Sequence, residues 1–349
     1  MQRMKTSRDS VALNQKAVAK KAGVSSATVS RVINGSPSVK EETATHVRRI
    51  LEELNFIPNP IATTLKYGRS KTYGVIIPDL TNPFFPEFLR SFEEALVEND
   101  HELLLATTEA SEPKLKSSVR RMLMRRVDGV VIMASEFDTR AIEPLFDHKI
   151  PIVTVDRRHV EEGAGDVSIN FEDGYRKAVV HLRELGHAHI GFIGGTPGIR
   201  TSEVRLESFR KSLEYAGLRY EPRFTRCGDY RVTGGDAAMR SLLMESRRPT
   251  AVVTVNDLSA FGVLRALHAS GIDVPSQISV LGFDGIQLSD ATYPPLTTIR
   301  VSSRDIAQAC IKALDHSKAH ITQRGLQLSV RGSLVVREST AKAPARNRS

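Results

Sequence analysis

Cysteine is nearly absent. The two that occur, Cys227 and Cys310, lie far apart and in no metal-type spacing. That excludes a disulfide framework and fits a reducing compartment. Long apolar runs are also missing, and none approaches the ~20 residues needed to cross a bilayer. The first dozen residues are polar and basic with no apolar segment, so no secretory signal is expected. Net charge is lacking over most of the chain: residues 72–349 hold 36 Lys or Arg against 35 Asp or Glu. Residues 1–71 hold thirteen against five, and so carry +8 of the formal +9. A small basic domain joined to a neutral one points to a polyanion partner for the small domain only. A length of 349 residues exceeds one ordinary core, so two or three domains are expected. A soluble intracellular protein is the expectation.

Residues 1–12 are unpatterned and read as a flexible arm. From there the basic segment is organised. Asn14 suits the N-cap of a helix over about 15–21, and Gly23 supplies a left-handed turn. Ser25 caps a second helix running to about Ile33. In that helix Val29, Val32 and Ile33 fall at i, i+3, i+4 and form an inward face. Ser26, Ala27, Ser30 and Arg31 are left outward, and Asn34-Gly35 ends the helix. Two short helices joined by a glycine turn, with small polar residues and one arginine outward, describe a recognition helix. Arg31 can donate two bonds to a guanine edge in a major groove. A third helix, about 41–55, places Val47, Ile50, Leu51 and Leu54 on one face, and Pro58 stops it. Asn59-Pro60-Ile61-Ala62-Thr63-Thr64-Leu65 encodes one or two further helical turns. So short a helix folds only when something holds it. Leu65 is a candidate wedge between base steps in a minor groove; the alternative is a linker with a buried leucine.

These residues carry a resemblance. Ala22-Gly-Val-Ser-Ser-Ala-Thr-Val-Ser-Arg-Val-Ile-Asn-Gly35, then Glu53-Leu-Asn-Phe-Ile-Pro-Asn59 and Ala62-x-x-Leu65, closely resemble the lactose/galactose repressor family of bacterial transcription factors. The resemblance runs over residues ~13 to ~340. It implies that the second helix reads an operator's major groove. It also implies that hinge helices of two subunits pair in the minor groove, where the leucine matching Leu65 intercalates. Carried over, the DNA-contacting set is Ser25, Ser26, Ala27, Thr28, Ser30, Arg31 and Asn34, with Asn59, Ala62 and Leu65 in the hinge. Thr63 and Ala44 depart from the family, which often has arginine at both places.

Beyond a basic linker, apolar runs alternate with amphipathic stretches. Buried parallel strands are expected over about 73–77, 103–107, 129–133 and 152–155, and again over 190–193, 224–227, 251–255 and 279–283. Two sets of four imply two doubly wound α/β lobes, whose strand ends face a shared cleft. The resemblance makes this the periplasmic-binding-protein-like core of the family. The expected organisation is an all-α three-helix helix-turn-helix domain over 13–57, then a hinge helix and linker over 58–71. A two-lobed core over 72–340 follows, and a tail over 341–349. Its first lobe takes about 72–170 and 302–328, its second about 171–298 and 329–340. Polar and aromatic groups after the strands, matched to the family's effector-contacting places, give Phe84, Phe85, Ser135, Asp156, Arg157, Arg200, Arg205, Tyr230, Asn256 and Asp284.

Other signals lead nowhere. Gly191-Phe-Ile-Gly-Gly-Thr-Pro-Gly198 follows a strand, yet fits neither a dinucleotide fingerprint nor a phosphate loop. No nucleophile–base pair stands out, and neither a cofactor nor a metal is expected. No leucine heptad follows Arg337, so a dimer is expected rather than a coiled-coil tetramer. The resulting expectation is a cytoplasmic, nucleoid-associated regulator. It binds a near-palindromic operator as a homodimer, most simply as a repressor, under control of a small molecule such as a sugar. The rival reading is a small-molecule-binding or sugar-metabolising protein with an incidental basic arm.

Overall fold

The computed structural model describes residues 14–33, 35–56, 69–133, 139–158 and 160–345. They fall into two units divided between Ser70 and Lys71. Among the described residues no helix is long and apolar enough to cross a membrane.

Among the described residues the first unit holds three helices, Gln15–Ala22, Ser26–Ile33 and Glu41–Glu53. Asn14 caps the first, its side chain accepting from Ala17 N at 3.0 Å. Gly23, at φ 66°, turns the chain toward the second helix. Val18, Val29 and Val47, one from each helix, are fully buried at the centre. Each such side chain contributes roughly 1.5–3 kcal/mol of burial. Ala44 also faces this core rather than solvent. The third helix stops at Glu53, two residues before the expected end. Asn55 takes a left-handed conformation (φ 45°), and Phe56 N–H turns back to Leu51 O at 2.9 Å. That is the usual left-handed stop with asparagine in glycine's place.

The second unit contains twelve strands among the described residues. They are β1 Thr72–Ile77, β2 Glu102–Thr107, β3 Gly129–Ile132, β4 Ile152–Val155, β5 Ala164–Asn170, β6 Ile190–Gly194, β7 Thr225–Cys227, β8 Ala251–Thr254, β9 Ser279–Asp284, β10 Thr297–Arg300, β11 Gln327–Arg331 and β12 Ser333–Val335. One sheet runs β11-β5-β4-β3-β1-β2 and the other β12-β10-β9-β8-β6-β7. Every pair is parallel except β10–β12. Each lobe therefore has six strands rather than the expected four. β5 was hidden by its polar residues: Asp166 is buried, but its Oδ1 accepts from the Thr154 hydroxyl at 2.7 Å and from Arg157 N at 3.0 Å. The chain crosses between lobes three times: after Asn170, after Arg300, and at Gly332 between β11 and β12. Residues 329–331, assigned by the sequence to the second lobe, thus pair in the first. One apolar cluster joins the lobes, from Phe88 and Phe92 to Phe192, Phe209 and Phe283. Tyr175 lies at its middle, 4.9 Å from Phe283 between ring centres.

Candidate functional site

On the helix Ser26–Ile33 the apolar spacing turns Val29 and Val32 into the core. Ser26, Ala27 and Arg31 are exposed as expected, with Thr28 and Ser30 half-buried. Ser25 is exposed too, but its hydroxyl caps the helix: it accepts from Thr28 N at 3.1 Å and sits 2.9 Å from Thr28 Oγ1. Ser25 and Thr28 therefore hold the helix entrance, while Ser26, Ala27 and Arg31 form its free outer face. Asn34, Asn59, Ala62 and Leu65 lie outside the described residues, as does Ser135.

In the second unit a cavity of about 380 Å³ opens between the lobes at the carboxyl ends of the strands. The first lobe supplies Phe84, Phe85 and Asp156; the second supplies Arg205, Tyr230, Asn256 and Asp284. Arg205 is the centre of this set. It comes from the helix Arg200–Tyr215 and is 7% exposed. Its guanidinium carbon stacks 4.2 Å from the Phe171 ring centre and 5.0 Å from that of Phe283. Nη1 donates to Val255 O and lies 3.7 Å from Asp284 Oδ1. That separation makes an ion pair but no hydrogen bond. Arg205 Nε and Asp284 Oδ1 make no hydrogen bond among the described residues, and both are buried. Buried polar atoms left so are a feature of sites that complete themselves on a ligand.

The carboxyls here are perturbed. Burial pushes Asp284 up to about 8, against the pull of Arg205, and the Asp257 and Asp156 carboxyls add to the rise. Burial likewise raises Asp156 to about 7, although it accepts from Ile169 N at 2.7 Å and feels Arg205. Asp156 as a residue is only half-buried, so its carboxyl is the shielded part. Burial opposes the charge of Arg205, but Asp284 leads the groups that hold its pKa above the ordinary value. Local backbone matches this picture of a strained site. Asp156, Tyr230 and Asp284 all have positive φ, at 61°, 64° and 100°. Asp257 fastens the turn after Asp284. Its Oδ2 accepts from Ile286 N at 2.9 Å and Ser289 Oγ at 2.6 Å, and Oδ1 from Thr298 Oγ1 at 2.6 Å.

Asn256 lines the cavity, yet both ends of its amide serve the scaffold. Oδ1 caps the next helix by accepting from Ser259 N at 3.0 Å, and Nδ2 donates to Tyr230 O at 3.0 Å. Asn256→Ala is expected to cost about 1–2 kcal/mol through the lost cap, measured as a lower urea midpoint. Two sequence candidates do not reach the cavity. Arg157 is half-buried and spends its backbone N–H on Asp166, and Arg200 is exposed on the first helical turn. Thr201, four residues before Arg205 and hence on its face, lines the cavity instead. The sequence also did not single out Asp79, Asn82, Thr196, Arg231 and Leu258 among the lining residues. Asp79 and Asn82 follow β1 and fall under the strand-end rule; Arg231, one residue past Tyr230, had no signal of its own. Among the described residues no cluster of His, Cys, Asp or Glu is arranged to hold a metal ion.

Residues 15–59 match the family described as bacterial regulatory proteins, lacI family, and residues 179–340 match the periplasmic binding protein-like domain. The ribose operon repressor of Escherichia coli (strain K12) is 34% identical over 313 residues, which is 89% of this chain and 94% of that protein. The transcriptional repressor PurR of Mannheimia succiniciproducens is 33% identical over 94% of this chain and 98% of its own length. Among solved structures, the Lac repressor dimer bound to operator and the anti-inducer ONPF superposes with a TM-score of 0.82 at 28% identity. That match covers 94% of this chain and 99% of that one. The complex of the regulator CelR with cellobiose gives 0.71 at 29% identity, covering the same shares. The chain belongs to the LacI family of bacterial regulatory proteins.

Proposed function

We propose that the chain is a transcriptional repressor that binds a near-palindromic operator as a homodimer, under the control of a neutral, polyhydroxylated small molecule in its cleft. The single observation that carries the ligand chemistry is the buried set of Arg205, Asp156 and Asp284. A ligand hydroxyl can donate to a carboxyl oxygen of Asp156 or Asp284 and accept from Arg205 Nε, which makes no hydrogen bond among the described residues. Phe84, Phe85 and Tyr230 offer ring faces to the apolar side of a sugar. On the DNA side, Ser26, Ala27 and Arg31 read base edges, and Ser25 and Thr28 fix the helix that carries them. Residues Asn59–Leu65, outside the described range, serve as a hinge helix that folds on DNA and inserts Leu65 in the minor groove. The protein acts in the cytoplasm on nucleoid DNA. A ligand that favours the DNA-bound arrangement acts as corepressor, and one that favours the free arrangement acts as inducer.

A thermal-shift screen with neutral sugars, sugar phosphates and purines tests the ligand class. Neutral sugars are expected to raise the midpoint through mass action, which stabilises the folded chain by about 2.7 kcal/mol at a hundred times Kd. A shift with sugar phosphates or purines alone would refute the neutral-sugar reading.

A further inference from the structure

Arg231 belongs to the second lobe, between β7 and the helix Val232–Leu243, yet it reaches across the cleft. Its Nη1 donates to Thr81 Oγ1 at 2.7 Å and its Nη2 to Asp79 Oδ2 at 3.1 Å. Both acceptors follow β1 in the first lobe. Each end of the bridge is set in advance. Asp79 Oδ1 accepts from Thr81 N at 2.7 Å, Thr81 Oγ1 at 2.6 Å and Asn82 N at 3.2 Å. On the other side Arg231 N donates to Asp229 Oδ1 at 2.9 Å. Burial opposes charge on Asp79, but these hydrogen bonds and Arg231 hold its carboxyl below the usual range, so the bridge persists at neutral pH. A second bond spans the cleft, from Gln287 N to Glu87 Oε1 at 2.9 Å.

Arg231 and Asp79 both line the cavity. Their side chains are 52% and 20% exposed, far more than the 9% and 5% of Arg205 and Asp284 at its floor. The bridge therefore lies at the opening and the ion pair of Arg205 at the base. An exposed ion pair alone contributes little, and it is the second bond, to Thr81 Oγ1, that brings the cost of breaking the bridge to about tenfold. Its consequence is steric: a guanidinium held by two acceptors of the other lobe is a fixed bar over the ligand.

We propose that Arg231 is a specificity-determining gate, whose bridge to Asp79 and Thr81 limits the cleft to a ligand of one sugar ring. A second ring joined to the first would have to pass through this bar and break both bonds. The proposal rests on the neutral-sugar reading and adds a size limit to it.

Calorimetric titration of the full-length protein with D-ribose, D-glucose and cellobiose tests it. The wild type is expected to bind one of the single-ring sugars and to bind cellobiose at least about tenfold more weakly. Arg231→Ala is expected to bring the two affinities within about threefold of each other. A wild type that takes cellobiose as tightly as a single ring overturns the gate, and so does an unchanged ratio in Arg231→Ala. Silence of all three sugars on the wild type counts instead against the neutral-sugar reading. Hydrogen exchange of the ligand-free chain then still decides the bridge. Exchange at the Thr81 and Asn82 amides is expected to rise about tenfold in Arg231→Ala. Unchanged exchange overturns the gate whatever the ligand.

Discussion

Replacing Arg205 by leucine is expected to destabilise the second unit by about 3–5 kcal/mol at pH 8 and by less than about 1 kcal/mol at pH 5. The variant removes the cation from a buried site that holds Asp284 and Asp156. Both carboxyls have folded values, about 8 and about 7, above the unfolded value near 3.9. A group raised in this way gives its full contribution below the unfolded value, and loses it as pH rises through the folded value. Without Arg205 the folded values move higher still, so the loss between pH 5 and pH 8 becomes steeper. At pH 5 both carboxyls are protonated in the folded chain and the missing cation matters little. Urea unfolding at the two pH values reads the difference. A cost that is equal at both pH values would mean that Arg205 acts through packing on Phe171 and Phe283 rather than through charge. The same variant is expected to abolish the sugar-induced thermal shift.

Arg31→Ala is expected to weaken binding to a selected operator duplex by about 1–3 kcal/mol, or roughly 5- to 150-fold, if its fork meets a guanine edge. Random duplex DNA should lose far less, with its salt slope nearly unchanged. Arg31 is exposed on the outer face of its helix, and the core residues Val29 and Val32 lie on the opposite face. Truncating it therefore leaves the fold alone. Fluorescence anisotropy on both duplexes separates the cases: an equal loss on operator and random DNA would make Arg31 a phosphate contact.

Much of this was readable before the fold. Val29, Val32 and Ile33 mark a helix face by spacing alone, and Gly23 marks the turn before it. β1, β3, β4, β8 and β9 read as strands because they are covered on both faces and so are mostly apolar. β5 did not, since burying Asp166 depends on Thr154 and the backbone of Arg157, partners that only the folded sheet supplies. β10, β11 and β12 are short and partly polar, and they become strands by pairing at or near a sheet edge. In the cleft, the strand-end rule and the family resemblance together pointed to Asp156, Arg205, Tyr230, Asn256 and Asp284, all of which line the cavity. Arg200 does not line the cavity, because one helical step rotates its side chain off the face that Thr201 and Arg205 share. The bridge of Arg231 to Asp79 joins residues 152 positions apart and exists only once the lobes meet.

On the proposed function, a ligand in the cleft controls the grip of the helix Ser26–Ile33 on DNA. The most direct test of this is operator affinity of the full-length chain, by fluorescence anisotropy, with and without the sugar that raises the thermal midpoint. A change of at least about fivefold is expected, matched by an equal change in sugar affinity when operator is added, since coupling between two sites is reciprocal. An operator affinity that stays the same at saturating sugar would contradict it.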